Sequence, residues 1–169
     1  VGIVLEENGR RVTHFEDSYQ GKARLSVDGS GGAFFIWEDE RNGEFPEVDI
    51  YTQHLNSSNS FSYQDNGIAV TTASFKQQGP VVRSDGQGGV FAAWDDYRDG
   101  SNSIYFQHIS SETGATLEEN GQAVFKGITG NAGDGVSAYR AESISMGDGN
   151  VLVYWLDLSR SPFQTLTYG

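Results

Sequence analysis

The sequence predicts an all-β protein made of a repeated unit of about four strands. Three observations carry this. A segment recurs at fixed spacing, the apolar residues alternate in short β-branched and aromatic runs, and helical periodicity is sustained nowhere along the 169 residues. The 22 glycines and 3 prolines suit many short strands joined by turns.

The repeat is clearest at Asp85–His108, DGQGGVFAAWDDYRDGSNSIYFQH, which matches DGSGGAFFIWEDERNGEFPEVDIYTQH at Asp28–His54. Asp85 follows Asp28, Gly89 follows Gly32, Trp94 follows Trp37, Asp96 follows Asp39 and Arg98 follows Arg41, each by 57 positions. A three-residue deletion then reduces the offset to 54, which holds for Tyr51 and Tyr105, Gln53 and Gln107, and His54 and His108. It continues through Asn66-Gly67 and Asn120-Gly121 to Val70 and Val124. A degraded third copy, DGNVLVYWLDLSR, begins at Asp148 and carries Trp155 and Asp157. Length changes fall in polar loops, as expected when the strands are fixed and the turns free.

Each strand follows from its residues. In GGVFAAWDD, Val90, Ala92 and Trp94 share one face and Phe91 and Ala93 the other. The earlier copy sets Ala33, Phe35 and Trp37 against Phe34 and Ile36, and the later one Val151, Val153 and Trp155 against Leu152, Tyr154 and Leu156. Strands apolar on both faces are expected to be covered on both sides. IYFQHI at Ile104–Ile109 and IYTQHL at Ile50–Leu55 supply the next strand, and weaker strands are expected at 68–72 and 122–125. A further strand precedes each Asp-Gly turn, at 23–27 and 80–83. Four strands per unit is the size of a propeller blade, and a blade is sandwiched between neighbours. The fold class expected is therefore a β-propeller-like array of about three blade equivalents.

The expected organisation is a last strand plus connector at 1–22, one blade repeat at 23–79, a second at 80–136, and the first strands of a third at 137–169. Leu5-Glu6-Glu7-Asn8-Gly9 repeats as Leu117-Glu118-Glu119-Asn120-Gly121, so the beginning of the chain reads as the end of a unit, and the final unit lacks its fourth strand. A terminal blade split between the two ends would reconcile these parts. The partners implied are the rest of a longer propeller or other protein chains, engaged through terminal strands. The chain begins at Val1, which suggests a mature product or a segment of something longer.

The pattern Asp-Gly-x-Gly-Gly, Trp-x-Asp-x-Arg-x-Gly, Ile-Tyr-x-Gln, Asn-Gly-x-x-Val resembles a tandem repeat of large secreted and cell-surface proteins of Bacteroidota-type bacteria, many of them cargo of type IX secretion. The likeness covers Asp28–Phe125 well and both ends weakly. It implies β-propeller-like domains and an extracellular or cell-surface location in a Gram-negative bacterium. It is architectural and implies no single activity. The Ser-x-Asp-x-Gly-x-x-Trp spacing of sialidase-type Asp-boxes is not reproduced.

Composition narrows function by exclusion. With 23 acidic and 11 basic residues the formal net charge is −12, which disfavours nucleic acid and anionic membrane surfaces as partners. No segment has the length and apolarity of a transmembrane helix. Without cysteine, disulfides, thiolate metal sites and cysteine nucleophiles are excluded.

The repeated residues each have a structural and a functional reading. Trp37, Trp94 and Trp155 read as core, with sugar stacking requiring them exposed. Asp39 with Arg41, and Asp96 with Arg98, lie two apart, share a face if the strand continues, and read as ion pairs that pin the loop and satisfy backbone groups between blades. The competing reading is a paired-carboxylate site in a carbohydrate-processing domain, with Glu38, Asp39, Asp95, Asp96 and Asp99 at loop mouths, which a motif present in every unit fits badly. Asp28, Asp85 and Asp148 read as turn residues, with a Ca²⁺ loop as the alternative; only one carboxylate per turn is available to such a loop. His54 and His108 read as a repeated structural hydrogen bond. Neither a catalytic residue nor a bound cofactor is expected, and a glycan is the small-molecule partner that the carbohydrate reading would bring.

Overall fold

A computed structural model describes residues 9–43, 47–127, 138–147, 149–157 and 161–168; of 138–140, 157 and 161–168 it describes the backbone. Among these residues the regular structure is entirely β, with twelve strands in three antiparallel sheets. The first sheet comprises β1 (Gln20–Val27), β2 (Ala33–Asp39), β3 (Asp49–Leu55) and β4 (Ile68–Thr71), paired in that order. The second comprises β5 (Gln77–Ser84), β6 (Gly89–Asp96), β7 (Ser103–Ser110), the two-residue β8 (Gly114–Ala115) and β9 (Gln122–Phe125), with both β8 and β9 on β7. The third is β10 (Ala138–Gly147), β11 (Asn150–Asp157) and β12 (Ser161–Tyr168).

The Asp-Gly-x-Gly-Gly segments close the first hairpin of their sheets by two devices. Asp28 donates its backbone N–H to the Gly32 carbonyl, and its Oδ1 accepts from the N–H groups of Ser30 (2.6 Å) and Gly32 (2.9 Å). Asp85 does the same with Gly89, Gln87 and again Gly89. The fifth position has no room for a side chain, since a Cβ on Gly32 would lie 2.3 Å from the Leu55 carbonyl oxygen and 2.5 Å from Asp28 Oδ2. This carboxylate-filled turn sets the register Val27↔Ala33 and Ser84↔Val90, and a one-residue slip would turn every apolar side chain to the wrong face.

The sheets pack face to face in chain order. Phe34, Ile36, Ile50 and Val70 of the first sheet meet Val82, Val90, Ala92, Trp94, Tyr105 and Ile109 of the second. Val81, Phe91, Ala93, Ile104 and Phe106, on the other face of the second sheet, meet Ala141, Val151, Val153 and Trp155 of the third. In the second and third sheets the side carrying the tryptophan faces the preceding sheet, and in the first and second the side carrying Phe34 or Phe91 faces the following one. Full burial of each large apolar side chain stabilises by about 1.5–3 kcal/mol, and these two layers hold the clustered apolar core of the described residues.

Two expectations change. Burial on both sides of the second strand is complete for β6, every residue of which is buried, whereas in β11 buried Val151, Val153 and Trp155 alternate with half-buried Leu152, Tyr154 and Leu156. Gln20–Lys22, read from sequence as connector, begins β1, and the register shift between Gly21 and Arg24 lets these polar residues extend the strand. The corresponding shifts lie between Gln78 and Val81 in β5 and between Tyr139 and Glu142 in β10.

Candidate functional site

In each of the first two sheets the repeated side chains assemble into two polar clusters. The first centres on the carboxylate of Trp-x-Asp-x-Arg. Asp39 and Asp96 end their strands and are both 0% exposed. Asp96 Oδ2 accepts from Trp94 Nε1 at 2.8 Å and from Arg98 Nη2 at 2.6 Å, while Oδ1 accepts from Arg98 Nε at 2.9 Å and from its backbone N–H at 3.0 Å. Asp39 repeats the set with Trp37 (2.8 Å), Arg41 Nη2 (2.5 Å), Arg41 Nε (2.9 Å) and the Arg41 backbone (2.9 Å). The strand ends at the aspartate and does not continue to the arginine. The chain turns at Asp39 and at Asp96, and the side chain and backbone of one arginine both fold back on the carboxylate.

Each guanidinium then lies over the tyrosine of the next strand, Arg41 over Tyr51 and Arg98 over Tyr105, both 3.8 Å from the ring centre. Burial pushes the Tyr105 phenol above its ordinary pKa, with Arg98 opposing. Arg98 also donates to the Asn120 carbonyl at 2.7 Å. Asn120 and Gly121 both have positive φ, and a Cβ on Gly121 would meet the Trp94 ring at 2.5 Å. Gln107 completes the fastening by donating to the Glu118 carbonyl and accepting from the His108 and Leu117 backbone N–H groups. Gln53 donates to the Gln64 carbonyl and accepts from His54 and Tyr63 in the same way.

The second cluster joins an aspartate, a histidine and a hydroxyl. Asp28 Oδ2 lies 2.9 Å from His54 Nε2, and His54 Nδ1 lies 2.7 Å from Ser62 Oγ. Asp85, His108 and Thr116 repeat this at 2.8 and 2.8 Å. The order matches a hydroxyl–imidazole–carboxylate triad, but the nitrogens are exchanged, because in the catalytic template the carboxylate holds Nδ1 and the nucleophile faces Nε2. The aspartate's other oxygen serves its own turn, and the histidine packs on Phe34 or Phe91. The cleft beside His108, about 260 Å³ and lined by Asp85, Phe91, His108 and Leu117, is smaller than the ~300–1,000 Å³ usual for ligand pockets.

Burial pushes the Asp28 carboxyl up, but the His54 hydrogen bond and the Ser30 and Gly32 N–H groups outweigh it and leave the pKa below the ordinary value. For Asp85 burial is likewise opposed by His108, Gln87 and Gly89, with the same net direction. Asp49 goes the other way. Burial raises it, Asn42 opposes with a hydrogen bond, and the charges of Asp39 and Glu47 raise it further.

Asp28 and Asp85 each place Oδ1 on two backbone N–H groups of the turn and Oδ2 against a histidine ring nitrogen. Asp148 lies outside the described residues. Among those described, no group of three or more His, Asp or Glu side chains is placed to hold a metal. Trp155 packs against Phe125 in the core, and the Asp157 side chain is not among those described.

Sequence reasoning missed the partners of the histidines and the residues that link sheets. His54 follows Asp28 by 26 positions and His108 follows Asp85 by 23, a difference equal to the loop deletion, and a hydroxyl follows each histidine by eight. That coincidence was the available signal. Between sheets, Glu38 accepts from the Gly79 N–H at 2.7 Å and Asp95, its repeat equivalent, from the Ala141 N–H at 3.2 Å. Asn120 accepts from the Thr72 N–H at 2.7 Å.

No family model matches the chain, and no curated protein or solved structure does either.

Two expectations follow. Asp96→Ala leaves a guanidinium and an indole N–H without their buried acceptor, and should lower unfolding free energy by about 3–5 kcal/mol in urea titration. Arg98→Ala, which strands the carboxylate, should cost a similar amount. A loss below about 1 kcal/mol, the worth of an exposed ion pair, would mean that the cluster is not buried as described. The depressed Asp28 and Asp85 pKa values contribute stability that is present above the unfolded carboxyl pKa of about 3.9 and is lost as pH falls through the lower folded values. Melting temperature should therefore fall steeply below about pH 4, and Asp28→Asn with Asp85→Asn should flatten that fall.

Proposed function

We propose that this chain is a non-enzymatic, extracellular β-propeller-like repeat module with a structural, adhesive or assembly role in a bacterial surface protein, its three sheets serving as blades. One observation carries the reading. The polar side chains that recur in the first two units are engaged with one another or with backbone groups, so the repeated chemistry is spent on holding strands and turns. A paired-carboxylate mechanism needs one carboxyl free to hold a proton and another facing the scissile bond. Asp39 and Asp96 are buried under their arginines and meet neither need.

Further support comes from the packing. Successive sheets stack in chain order, and β5 lies between β1 and β10, the arrangement of innermost strands in neighbouring blades. A net charge of −12 favours solubility of an exported protein. The surface location rests on the resemblance of the repeat to those of Bacteroidota-type exported proteins.

A glycan array and a panel of chromogenic glycosides should give no binding and no turnover, and EDTA should leave the melting temperature unchanged. Binding to one class of sugar that disappears with Asp99→Asn would replace this reading with a carbohydrate-recognition one.

A further inference from the structure

The repeat departs from itself at a position that faces a sheet interface. Ser62-Tyr63-Gln64 aligns with Thr116-Leu117-Glu118 at the offset of 54. The two backbones are held alike. The Tyr63 and Leu117 N–H groups donate to the side-chain oxygens of Gln53 and Gln107, whose amides donate to the Gln64 and Glu118 carbonyls. The side chains do different work. Tyr63 packs on the core between the first and second sheets, with its ring centre 6.4 Å from that of His54. Its hydroxyl donates to the Ser110 carbonyl of β7 at 2.5 Å. Leu117 packs on the core between the second and third sheets and is shorter by a ring edge and a hydroxyl. The His54 side chain is accordingly 4% exposed and the His108 side chain 26%. Where the tyrosine ring would lie is the cleft of about 260 Å³ bounded by Leu117, Phe91, His108, Asp85, Gln87 and Gly149.

The first interface shows what such a cleft takes. There a phenol lies beside an imidazole that itself packs on a phenylalanine, His54 on Phe34 at 4.4 Å between ring centres. His108 packs on Phe91 at 4.8 Å and lacks the phenol. A space of 260 Å³ is small for a drug-sized ligand, but an apolar cavity of about 150 Å³ already holds benzene. The walls are fixed. The Gly149 N–H donates to the Asp85 carbonyl at 3.1 Å, which ties the third sheet to the second at this end. Both nitrogens of His108 are engaged, by Asp85 and Thr116, so its ring offers carbon surface and no free nitrogen. Past His108 the cleft adjoins a second hollow of about 250 Å³, lined by Gln87, Ser110, Ser111 and Glu112. This hollow is polar and suits the N–H and C=O groups of a peptide better than further apolar surface.

We infer that the cleft over Leu117 is a socket for a tyrosine side chain presented by a partner polypeptide. The ring stands where Tyr63 stands in the first interface, and the flanking backbone lies in the hollow beside Ser110 and Glu112. The inference rests on the reading of this chain as an adhesive or assembly module, and it gives that reading a partner of stated chemistry. Tyrosine brings a large, rigid contact area at low conformational-entropy cost, and it anchors interfaces by filling pockets. Glu112 borders the hollow and the chain carries a net charge of −12, so the partner segment around the tyrosine is neutral or basic.

The test is NMR of the full chain, following the imidazole C–H signals of His54 and His108. The ligands are p-cresol (the tyrosine side chain as a free molecule), acetyl-Gly-Tyr-Gly-amide and acetyl-Gly-Leu-Gly-amide, each to about 10 mM, where a weak one-ring contact registers. Cresol and the tyrosine peptide should shift His108 saturably and leave His54 in place. The peptide should bind about fivefold or more tightly than cresol, because its backbone adds hydrogen bonds in the hollow. Leu117→Tyr fills the socket from within and should weaken both ligands by about tenfold or more. Leu117→Phe serves in its place should that variant melt below the wild type. Conversely, Tyr63→Leu opens the matching cleft in the first interface. It should melt below the wild type, and cresol should then shift His54 and recover part of the melting temperature, as a ligand of the folded state does. A His108 unmoved by cresol and the tyrosine peptide, binding undiminished in both Leu117 variants, or a leucine peptide bound as well as the tyrosine one would overturn the inference. So would a tyrosine peptide bound no more tightly than cresol, since the socket would then take a free phenol. Silence towards these ligands and towards glycans would leave the proposed function standing without this partner, whereas sugar binding would remove the function itself.

Discussion

A carboxylate with no exposure to water is the constraint on which each of the first two units depends. Asp39 and Asp96 are costly to bury, several kcal/mol even after relaxation, and the cost is offset because every acceptor position is filled. Each gathers a tryptophan from its own strand and an arginine from the following turn, and through that arginine it reaches the tyrosine of the next strand. One anion thus fixes where the strand ends, how the indole lies and which way the chain turns. The Asp-Gly turn at the other end of the hairpin uses a second aspartate in a similar way, with a histidine in place of the arginine. The hairpin is pinned by charge at both ends and filled with apolar side chains between them.

Directional stacking follows from this pinning. In the second and third sheets the face with the indole is the one against the preceding sheet, and the face with Phe34 or Phe91 is against the next. The polar links obey the same direction, since Glu38 and Asp95 reach forward to β5 and β10 and Asn120 reaches back to Thr72. A unit built this way has two different surfaces that fit each other, as nearest-neighbour repeat architectures require.

Much of this was legible in the sequence, and the omissions have physical causes. The period, the core position of Trp37, Trp94 and Trp155, and the pairing of each aspartate with the arginine two residues on were all readable, because they depend on local spacing. Strand bounds were less so. Gln20–Lys22 is polar because β1 is largely exposed, and its bulge breaks the alternation that identifies strands. The Asp28–His54–Ser62 and Asp85–His108–Thr116 sets escaped notice because their members lie on different strands and loops, and only topology brings them together. Burial on both faces failed as a general expectation for a similar reason: β6 has neighbours on both sides, whereas β11 has a described neighbour on one.

The central claim is that a buried aspartate closes over Trp37 and another over Trp94, and hydrogen exchange of the indole N–H groups measures it most directly. With ¹⁵N-tryptophan labelling, the Nε1–H of Trp37 and of Trp94 should exchange as slowly as the backbone amides of β2 and β6, because each is released only when its sheet opens. Indole protons that exchange within the dead time while those amides stay protected would show that the carboxylate does not hold the ring, and the account of how each unit is pinned would fail.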